Sequence, residues 1–128
     1  MARILIAEDE EVIRSLVARA LTQDGHAVVT ANDGAEALEV LARERGEFEL
    51  LLTDIRMPIM DGIALALAAA RDHPQVAILL MTGFADQRER ASGLDSLIHE
   101  VITKPFSVAD IRRVVNDAIA AGAKRQMH

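Results

Sequence analysis

Polar side chains follow four of the short apolar runs in this chain of 128 residues. They are an acidic pair, an aspartate, a threonine and a lysine: Glu8 and Asp9, Asp54, Thr82, and Lys104. Carboxylates that lie within a few ångströms of one another cannot all be ionised unless a cation lies between them. Oxygen ligands select a hard ion such as Mg²⁺, which keeps positions open for a phosphate. A carboxylate beside Mg²⁺ and a lysine can form an acyl phosphate, and Asp54 is the predicted nucleophile.

Each of these residues also has a purely structural interpretation. Asp9 is placed to cap the first helix, and Asp54 is placed to open a turn. Thr82 is placed to cap a later helix, and a lysine such as Lys104 is usually solvated. Their joint occurrence favours a common site, because ligands of open α/β sheets lie beyond the carboxyl ends of the strands.

Apolar runs of strand length alternate with segments of helical periodicity along the whole chain. The predicted strands are residues 4–7, 27–30, 48–53, 76–81 and 100–103, and the predicted helices are residues 10–24, 34–46, 63–71, 85–94 and 108–121. Runs that are apolar on both faces are typical of parallel strands covered by helices on both sides. Right-handed crossovers then favour an α/β fold, a three-layer, doubly wound (βα)₅ sandwich with a parallel sheet of order 2-1-3-4-5.

The composition indicates a folded domain without thiol chemistry. Hydrophobic residues make up 51% of the chain and cysteine is absent, which excludes disulfides, thiolate metal sites and a cysteine nucleophile. The net charge of −6 argues against direct binding of nucleic acid. We expect no membrane span, because no apolar run is long enough, and we expect a cytoplasmic protein. We predict one domain over residues 1–121 and a short C-terminal tail over residues 122–128.

Four strings of residues carry a resemblance to a known family. They are residues 8–10 (Glu-Asp-Glu), 51–62 (Leu-Leu-Thr-Asp-Ile-Arg-Met-Pro-Ile-Met-Asp-Gly), 81–83 (Met-Thr-Gly) and 103–106 (Thr-Lys-Pro-Phe). In this order they resemble the receiver domain of two-component response regulators, the CheY-like family, and the resemblance covers essentially the whole chain. It implies the flavodoxin/CheY-like form of the same fold and a phosphoaspartate switch in phosphorelay signalling.

The resemblance also implies a phosphoacceptor and a metal site. Asp54 would accept a phosphoryl group from a histidine kinase or a histidine phosphotransfer protein. Asp9, Asp54 and the backbone carbonyl of Arg56 would hold Mg²⁺, with Glu8 contributing through a water molecule. The domain would not be an enzyme in the usual sense, although it would promote its own phosphorylation and dephosphorylation at Asp54.

Further residues around the acceptor receive roles from the same resemblance. Thr82 would follow the phosphate and signal its presence, and Lys104 would pair with the phosphate or the carboxylate. The peptide bond between Lys104 and Pro105 is expected to be cis, which would orient the ammonium inward. Arg56 and Phe84 would lie beside the acceptor, where family members tune the lifetime of the phosphoryl group.

Two positions depart from the usual pattern of the family. The first acid is Glu8 where aspartate is commoner, and a longer glutamate can still reach a metal-bound water. Val101 stands three residues before the lysine, where the family usually has Tyr or Phe as the rotameric partner of the switch threonine. We therefore expect signalling to rely on Phe84 and on a repacked fourth helix, within residues 83–95.

We expect a stand-alone receiver whose output is a regulated protein contact. Family members usually present the face of the fourth helix, fifth strand and fifth helix to targets, including second copies of themselves in phosphorylation-linked homodimers. Residues 81–104 also resemble the CpdR type of single-domain regulator, whose unphosphorylated form is an adaptor for the ClpXP protease, which implies ClpXP or its substrates as partners. The alternative is the receiver of a longer regulator with a transcriptional or enzymatic output domain.

Three functions of other kinds fit the residues less well. A phosphohydrolase with Asp54 as nucleophile needs a second acid two residues later, where this chain has Arg56. A flavodoxin-like cofactor protein needs a phosphate-binding loop after the first strand, where this chain is acidic. A degenerate receiver that binds partners without phosphorylation is disfavoured by the complete set of acids, threonine and lysine.

Overall fold

The five strands form a single parallel sheet in the predicted order. The structure, a computed structural model, describes residues 2–83 and 91–126. The sheet order is β2-β1-β3-β4-β5, and the strands are β1 (Arg3–Ala7), β2 (Ala27–Ala31), β3 (Leu50–Asp54), β4 (Ala77–Thr82) and β5 (Glu100–Thr103). The predicted α/β fold and strand order are confirmed, with strand ends that differ from the predicted ones by two residues at most.

Helices cover both faces of this sheet. They are α1 (Glu11–Gln23), α2 (Gly34–Arg43), α3 (Gly62–Asp72) and a C-terminal helix (Val108–Gln126) that continues past residue 121, the predicted limit of the domain. In the predicted helix over residues 85–94, residues 85–90 lie outside the described residues, Ala91 is α-helical as predicted, and Ser92–Leu94 form a short 3₁₀ helix. Within the described part of the chain, no helix is long and apolar enough to cross a membrane.

Two apolar layers fill the space between the sheet and its helices, because side chains alternate between the two faces along each strand. In β3, Leu51 packs into the layer under α2 and α3. Leu50 and Leu52 pack into the layer under α1 and the C-terminal helix. Every residue of β3 and β4 is buried. Each buried leucine contributes about 1.5–3 kcal/mol, so the two central strands give the residues at their ends a rigid base.

The loop that follows β3 is fastened to the end of that strand. Gly62 begins α3, and its N–H donates a hydrogen bond to the carbonyl oxygen of Ile55 at 2.7 Å. A Cβ atom at Gly62 would overlap the carbonyl oxygen of Asp54 and would lie 2.8 Å from its carbonyl carbon. Asp61 caps α3 by accepting a hydrogen bond from the N–H of Ala64 at 2.8 Å. The loop is therefore held against the backbone of Asp54.

Ile59 lies in this loop in a left-handed conformation, with φ at 70° and 84% of its surface exposed. Branched side chains are disfavoured in this conformation, whereas asparagine tolerates it. We expect Ile59→Asn to raise the free energy of unfolding by about 1 kcal/mol, measured by urea denaturation. Val12→Asn is the control, at a valine of α1 that is 81% exposed, and it should not raise the free energy of unfolding. An equal gain in both variants would assign the effect to lost apolar exposure instead.

Candidate functional site

The predicted functional residues lie at one edge of the sheet. Asp54 is the last residue of β3 and pairs with Met81 in the neighbouring β4. Thr82 ends β4 and pairs with Thr103, the residue before Lys104. β1 lies on the other side of β3 and delivers the two acids that follow it. Because parallel strands end at the same side of a sheet, residues distant in the chain meet here.

Three carboxylates form the centre of the site. Glu8, Asp9 and Asp54 each place one oxygen within 4.8 Å of the other two. Glu8 is completely buried and Asp54 is 5% exposed, whereas Asp9 is exposed. The three formal negative charges exceed the positive charge of Lys104, so a divalent cation would balance the remainder. An all-oxygen donor set is the type that Mg²⁺ prefers, and these residues therefore fit that ion.

Lys104 contacts two of the three carboxylates. The Lys104–Pro105 peptide bond is cis. The Nζ atom of Lys104 donates a hydrogen bond to Oε1 of Glu8 at 3.0 Å and lies 3.2 Å from Oδ2 of Asp54. The backbone N–H of Lys104 donates to the carbonyl oxygen of Thr82 at 2.7 Å. These bonds anchor the lysine at its main chain and at its ammonium group.

Burial changes the protonation equilibria of the site. Loss of hydration raises the pKa of Glu8 from 4.5 to about 7, and the nearby charge of Asp54 adds to this, against the hydrogen bonds from Glu10 and Lys104. Burial also raises the pKa of Asp54, although Lys104 opposes the change. Burial lowers the pKa of Lys104, but its contacts with Glu8 and Asp54 outweigh this and leave the pKa raised. A cation at the site would relieve the cost of the buried negative charge.

Hydrogen bonds hold Glu8 at both its backbone and its side chain. The backbone N–H of Glu8 donates to the carbonyl oxygen of Ala31 at 3.1 Å, and its carbonyl oxygen accepts from Nη1 of Arg14 at 2.9 Å. Oε2 accepts from the N–H of Glu10 at 3.1 Å, and Oε1 accepts from Lys104. The sequence did not reveal Arg14 as a site residue, since an arginine on the first turns of a helix carries no distinctive signal.

A cleft of about 380 Å³ gives access to the acids. It is lined by Asp9, Glu10, Ile13, Asp54, Arg56, Gly83 and Lys104. Glu10 is the N-cap residue of α1 and makes no side-chain capping bond. The interpretation of Asp9 as the N-cap of α1 is therefore wrong. Asp9 lines the cleft together with Asp54.

Two further predicted residues, Thr82 and Val101, lie on the neighbouring strands. Thr82 is 1% exposed at the end of β4, beside the strand of Asp54. Val101 lies on β5, half-buried, and packs against the apolar layer under α2 and α3. Phe84 lies outside the described residues. The structure thus brings Glu8, Asp9, Asp54 and Lys104 together, with Arg56 in the lining of the same cleft.

Comparisons with known sequences indicate one family. The family model of the response regulator receiver domain matches residues 4–116. The response regulator receiver protein CpdR from Brucella abortus is 38% identical over 121 residues, which are 94% of this chain and 99% of that protein. The transcriptional regulatory protein TcrA from Mycobacterium tuberculosis is 34% identical over 109 residues. These are 85% of this chain but 42% of TcrA, so the chain spans less than half the length of that relative.

A comparison with solved structures leads to the same group. The response regulator protein TrrA from Thermotoga maritima, solved in complex with Mg(2+)-BeF, is similar to this chain with a TM-score of 0.80 and 28% identity. The similarity covers 92% of this chain and 99% of TrrA. Because the family model matches most of the chain, this protein belongs to the response regulator receiver domain family, the CheY-like phosphoaspartate switches of phosphorelay signalling, which bind Mg²⁺ at an acidic pocket.

Proposed function

We propose that this chain is a phosphorylation switch in which Asp54 is the phosphoacceptor. The observation that carries the proposal is the environment of the Asp54 carboxylate. It ends a buried central strand, lines the cleft, lies 3.2 Å from Nζ of Lys104 and belongs to the three-acid cluster. The proposed phosphodonor is the phosphohistidine of a histidine kinase or of a histidine phosphotransfer protein.

Phosphoryl transfer depends mainly on positioning and charge. In the proposed step, a carboxylate oxygen of Asp54 bonds to phosphorus while the bond from phosphorus to the donor imidazole breaks, and its electron pair stays on the nitrogen. Lys104 and the hydroxyl of Thr82 would donate hydrogen bonds to the phosphoryl oxygens. Later attack by water would release inorganic phosphate and restore the carboxylate. In this sense the domain promotes its own phosphorylation and dephosphorylation.

Mg²⁺ is the cofactor that this proposal requires. Asp9, Asp54 and the backbone carbonyl of Arg56 would hold the ion, and Glu8 would contribute through a water molecule. When bound, the ion supplies positive charge to the oxygens of the phosphoryl group. The donor set of this cluster supports the assignment, as does the relative TrrA, which was solved with Mg(2+)-BeF.

We propose that the response to phosphorylation reaches the surface through residues 83–95. Val101 stands where an aromatic switch residue is usual in the family, and valine has no ring to move between two positions. Phe84 and Arg56 would lie beside the acceptor and set the lifetime of its phosphoryl group. Backbone amide NMR spectra with and without Mg²⁺ and beryllofluoride test this route, and unchanged signals for residues 83–95 would contradict it.

The proposed output is a regulated protein contact made by a stand-alone receiver in the cytoplasm. The match to CpdR, which spans 99% of that protein, supports a single-domain form. The proposed adaptor role with the ClpXP protease rests on the resemblance of residues 81–104 to the CpdR type of regulator. The match to TcrA, which spans 42% of that protein, favours instead the receiver of a longer regulator. The contact surface would be residues 85–94 with β5 and the C-terminal helix, and it would serve a target or a second copy of the chain.

The phosphoacceptor assignment is tested with acetyl phosphate and Mg²⁺. We expect the intact protein to gain one phosphoryl group, detected by mass spectrometry, and we expect Asp54→Asn and EDTA-treated wild type to gain none. Asp72→Asn, at an exposed aspartate at the end of α3, is the matched control and should be phosphorylated like wild type. Phosphorylation of Asp54→Asn to the same extent would refute the proposal.

A further inference from the structure

Glu8 is a fully buried acid whose polar groups all have partners within the protein. Its backbone N–H and carbonyl oxygen are taken by Ala31 and Arg14, and Oε2 is taken by the N–H of Glu10. The remaining oxygen, Oε1, accepts the hydrogen bond from Lys104. A side chain fixed at so many points keeps its carboxylate in one place, and so provides a rigid contact for the lysine.

The long side chain of Lys104 has to be held in one conformation if its ammonium group is to stay beside Asp54. Its ammonium group stands at the end of a four-carbon stem with many rotamers, and ordering such a stem costs conformational entropy. The ion pair with Asp54 at 3.2 Å fixes the end of that stem at one point only. A second contact, with Oε1 of Glu8 at 3.0 Å, restricts it. The ammonium is thereby held between the two carboxylates, and 18% of the lysine side chain remains exposed.

The length of the glutamate side chain is essential to this arrangement. The backbone of Glu8 is held by the β1–β2 pairing and by Arg14, so it cannot move towards Lys104 to compensate for a shorter side chain. Removing one methylene withdraws the carboxylate by roughly one carbon–carbon bond, about 1.5 Å. That exceeds the tolerance of a hydrogen bond of 3.0 Å, so aspartate at this position would lose the contact with Lys104.

We propose that Glu8 is a positioning residue for Lys104, which it holds beside the acceptor oxygen of Asp54 before the phosphoryl group arrives. This inference rests on the proposed function of Asp54 and adds a role that depends on side-chain length as well as on charge. The direct contact of Glu8 is then with the lysine, in addition to its proposed water-mediated contribution to the metal, whereas the exposed Asp9 lies open to the cleft.

The ammonium protons of Lys104 report this contact directly, because ion pairing slows their exchange with water and makes them visible in ¹H–¹⁵N NMR. The chain has two lysines, Lys104 and Lys124, so a Lys104→Arg variant assigns the signal. The protein is studied without Mg²⁺ in three further variants. Glu8→Asp keeps the negative charge at position 8 but shortens the side chain, and Glu8→Gln keeps the side-chain length but removes the charge. Asp9→Asn removes the neighbouring charge.

We expect the Lys104 ammonium protons to exchange about tenfold faster in Glu8→Asp and in Glu8→Gln than in wild type. Asp9→Asn should leave their exchange close to that of wild type. Circular dichroism and thermal unfolding verify that each variant is folded. Unchanged exchange in Glu8→Asp, or an equal acceleration in Asp9→Asn, would overturn the proposal.

Phosphorylation by acetyl phosphate provides a second readout. At saturating Mg²⁺ we expect Glu8→Asp to react about fivefold more slowly, because the lysine is less well ordered, while the Mg²⁺ concentration for half-maximal rate stays near that of wild type. A higher Mg²⁺ requirement with normal Lys104 exchange would leave Glu8 only its water-mediated contribution to the metal site and would overturn the positioning role. If wild type itself is not phosphorylated, the function proposed for Asp54 fails, and the NMR comparison still decides the role of Glu8.

Discussion

Replacing Lys104 with methionine will destabilise the Mg²⁺-free protein by about 3 kcal/mol at pH values above the Glu8 pKa of about 7. The reason is that Glu8 is fully buried and Asp54 is 5% exposed, and Lys104 lies within 3.2 Å of both. Removing the cation leaves two buried carboxylates without compensation, which costs more than the ion pairs themselves contribute. Urea denaturation in the presence of EDTA measures this loss.

The loss in Lys104→Met should depend on pH. In wild type the pKa of Glu8 is raised from 4.5 to about 7, so the folded protein binds a proton more tightly than the unfolded chain does. Its free energy of unfolding therefore falls as the pH rises through this interval. Methionine at position 104 removes a group that lowers the pKa of both acids, so the loss should be greatest above pH 7 and smaller towards pH 4.5.

Two controls separate this effect from lost packing. Arg113→Met breaks an exposed ion pair with Asp117 and should cost less than about 0.5 kcal/mol. Adding Glu8→Gln to Lys104→Met removes one of the uncompensated charges and should recover part of the stability. A loss that is equal at all pH values and is not reduced by Glu8→Gln would contradict the explanation from buried charge.

Replacing Gly62 with alanine will destabilise the protein by about 3 kcal/mol, at the upper end of the cost of overpacking. The added Cβ atom would overlap the carbonyl oxygen of Asp54 and would lie 2.8 Å and 2.9 Å from the carbonyl carbon of Asp54 and the Cα of Ile55. Backbone atoms of a buried strand cannot rotate away as the end of a flexible side chain can, so the start of α3 must shift. Thermal and urea unfolding measure the change.

The same substitution should affect the site, because the displaced backbone belongs to the proposed acceptor. We expect Gly62→Ala to be phosphorylated more slowly by acetyl phosphate under conditions where it is still folded. Gly93→Ala is the control, since a Cβ atom at Gly93 meets nothing within 4 Å and its stability should change by less than about 1 kcal/mol. Equal stability of the two variants would show that the loop after β3 adapts without cost.

The sheet was predictable because its central strands are buried on both faces. A strand such as Leu50–Asp54 must then be almost wholly apolar, and a continuous apolar run stands out in a sequence. The predicted helix over residues 85–94 had few large apolar residues to define it; residues 85–90 lie outside the described residues, Ala91 is α-helical, and Ser92–Leu94 form a 3₁₀ helix. Periodicity predicts elements with a strong apolar stripe well, and a weak stripe defines the ends of a helix poorly.

The candidate site was predictable in its members but not in their contacts. Acids, a threonine and a lysine after neighbouring parallel strands must meet at one edge, so Glu8, Asp54 and Lys104 could be grouped from the strand order. Their partners could not be assigned, since a glutamate beside a metal site and a glutamate bonded to a lysine look alike in sequence. Arg14 was not identified at all, because its bond to the Glu8 carbonyl depends on the path of the chain between β1 and α1.

By itself, the order of apolar and polar residues determined the layers of the fold, the strand order and the edge of the sheet at which the functional side chains lie. These follow from local rules of burial, side-chain alternation and crossover handedness. The tertiary structure decided that Glu8 is buried with both oxygens bonded, that Lys104 reaches it across 96 positions of the chain, and that Gly62 touches the backbone of Asp54. Such contacts form only when the distance between two distant segments is correct to within a few tenths of an ångström. A linear pattern of residue types does not encode distances with that precision.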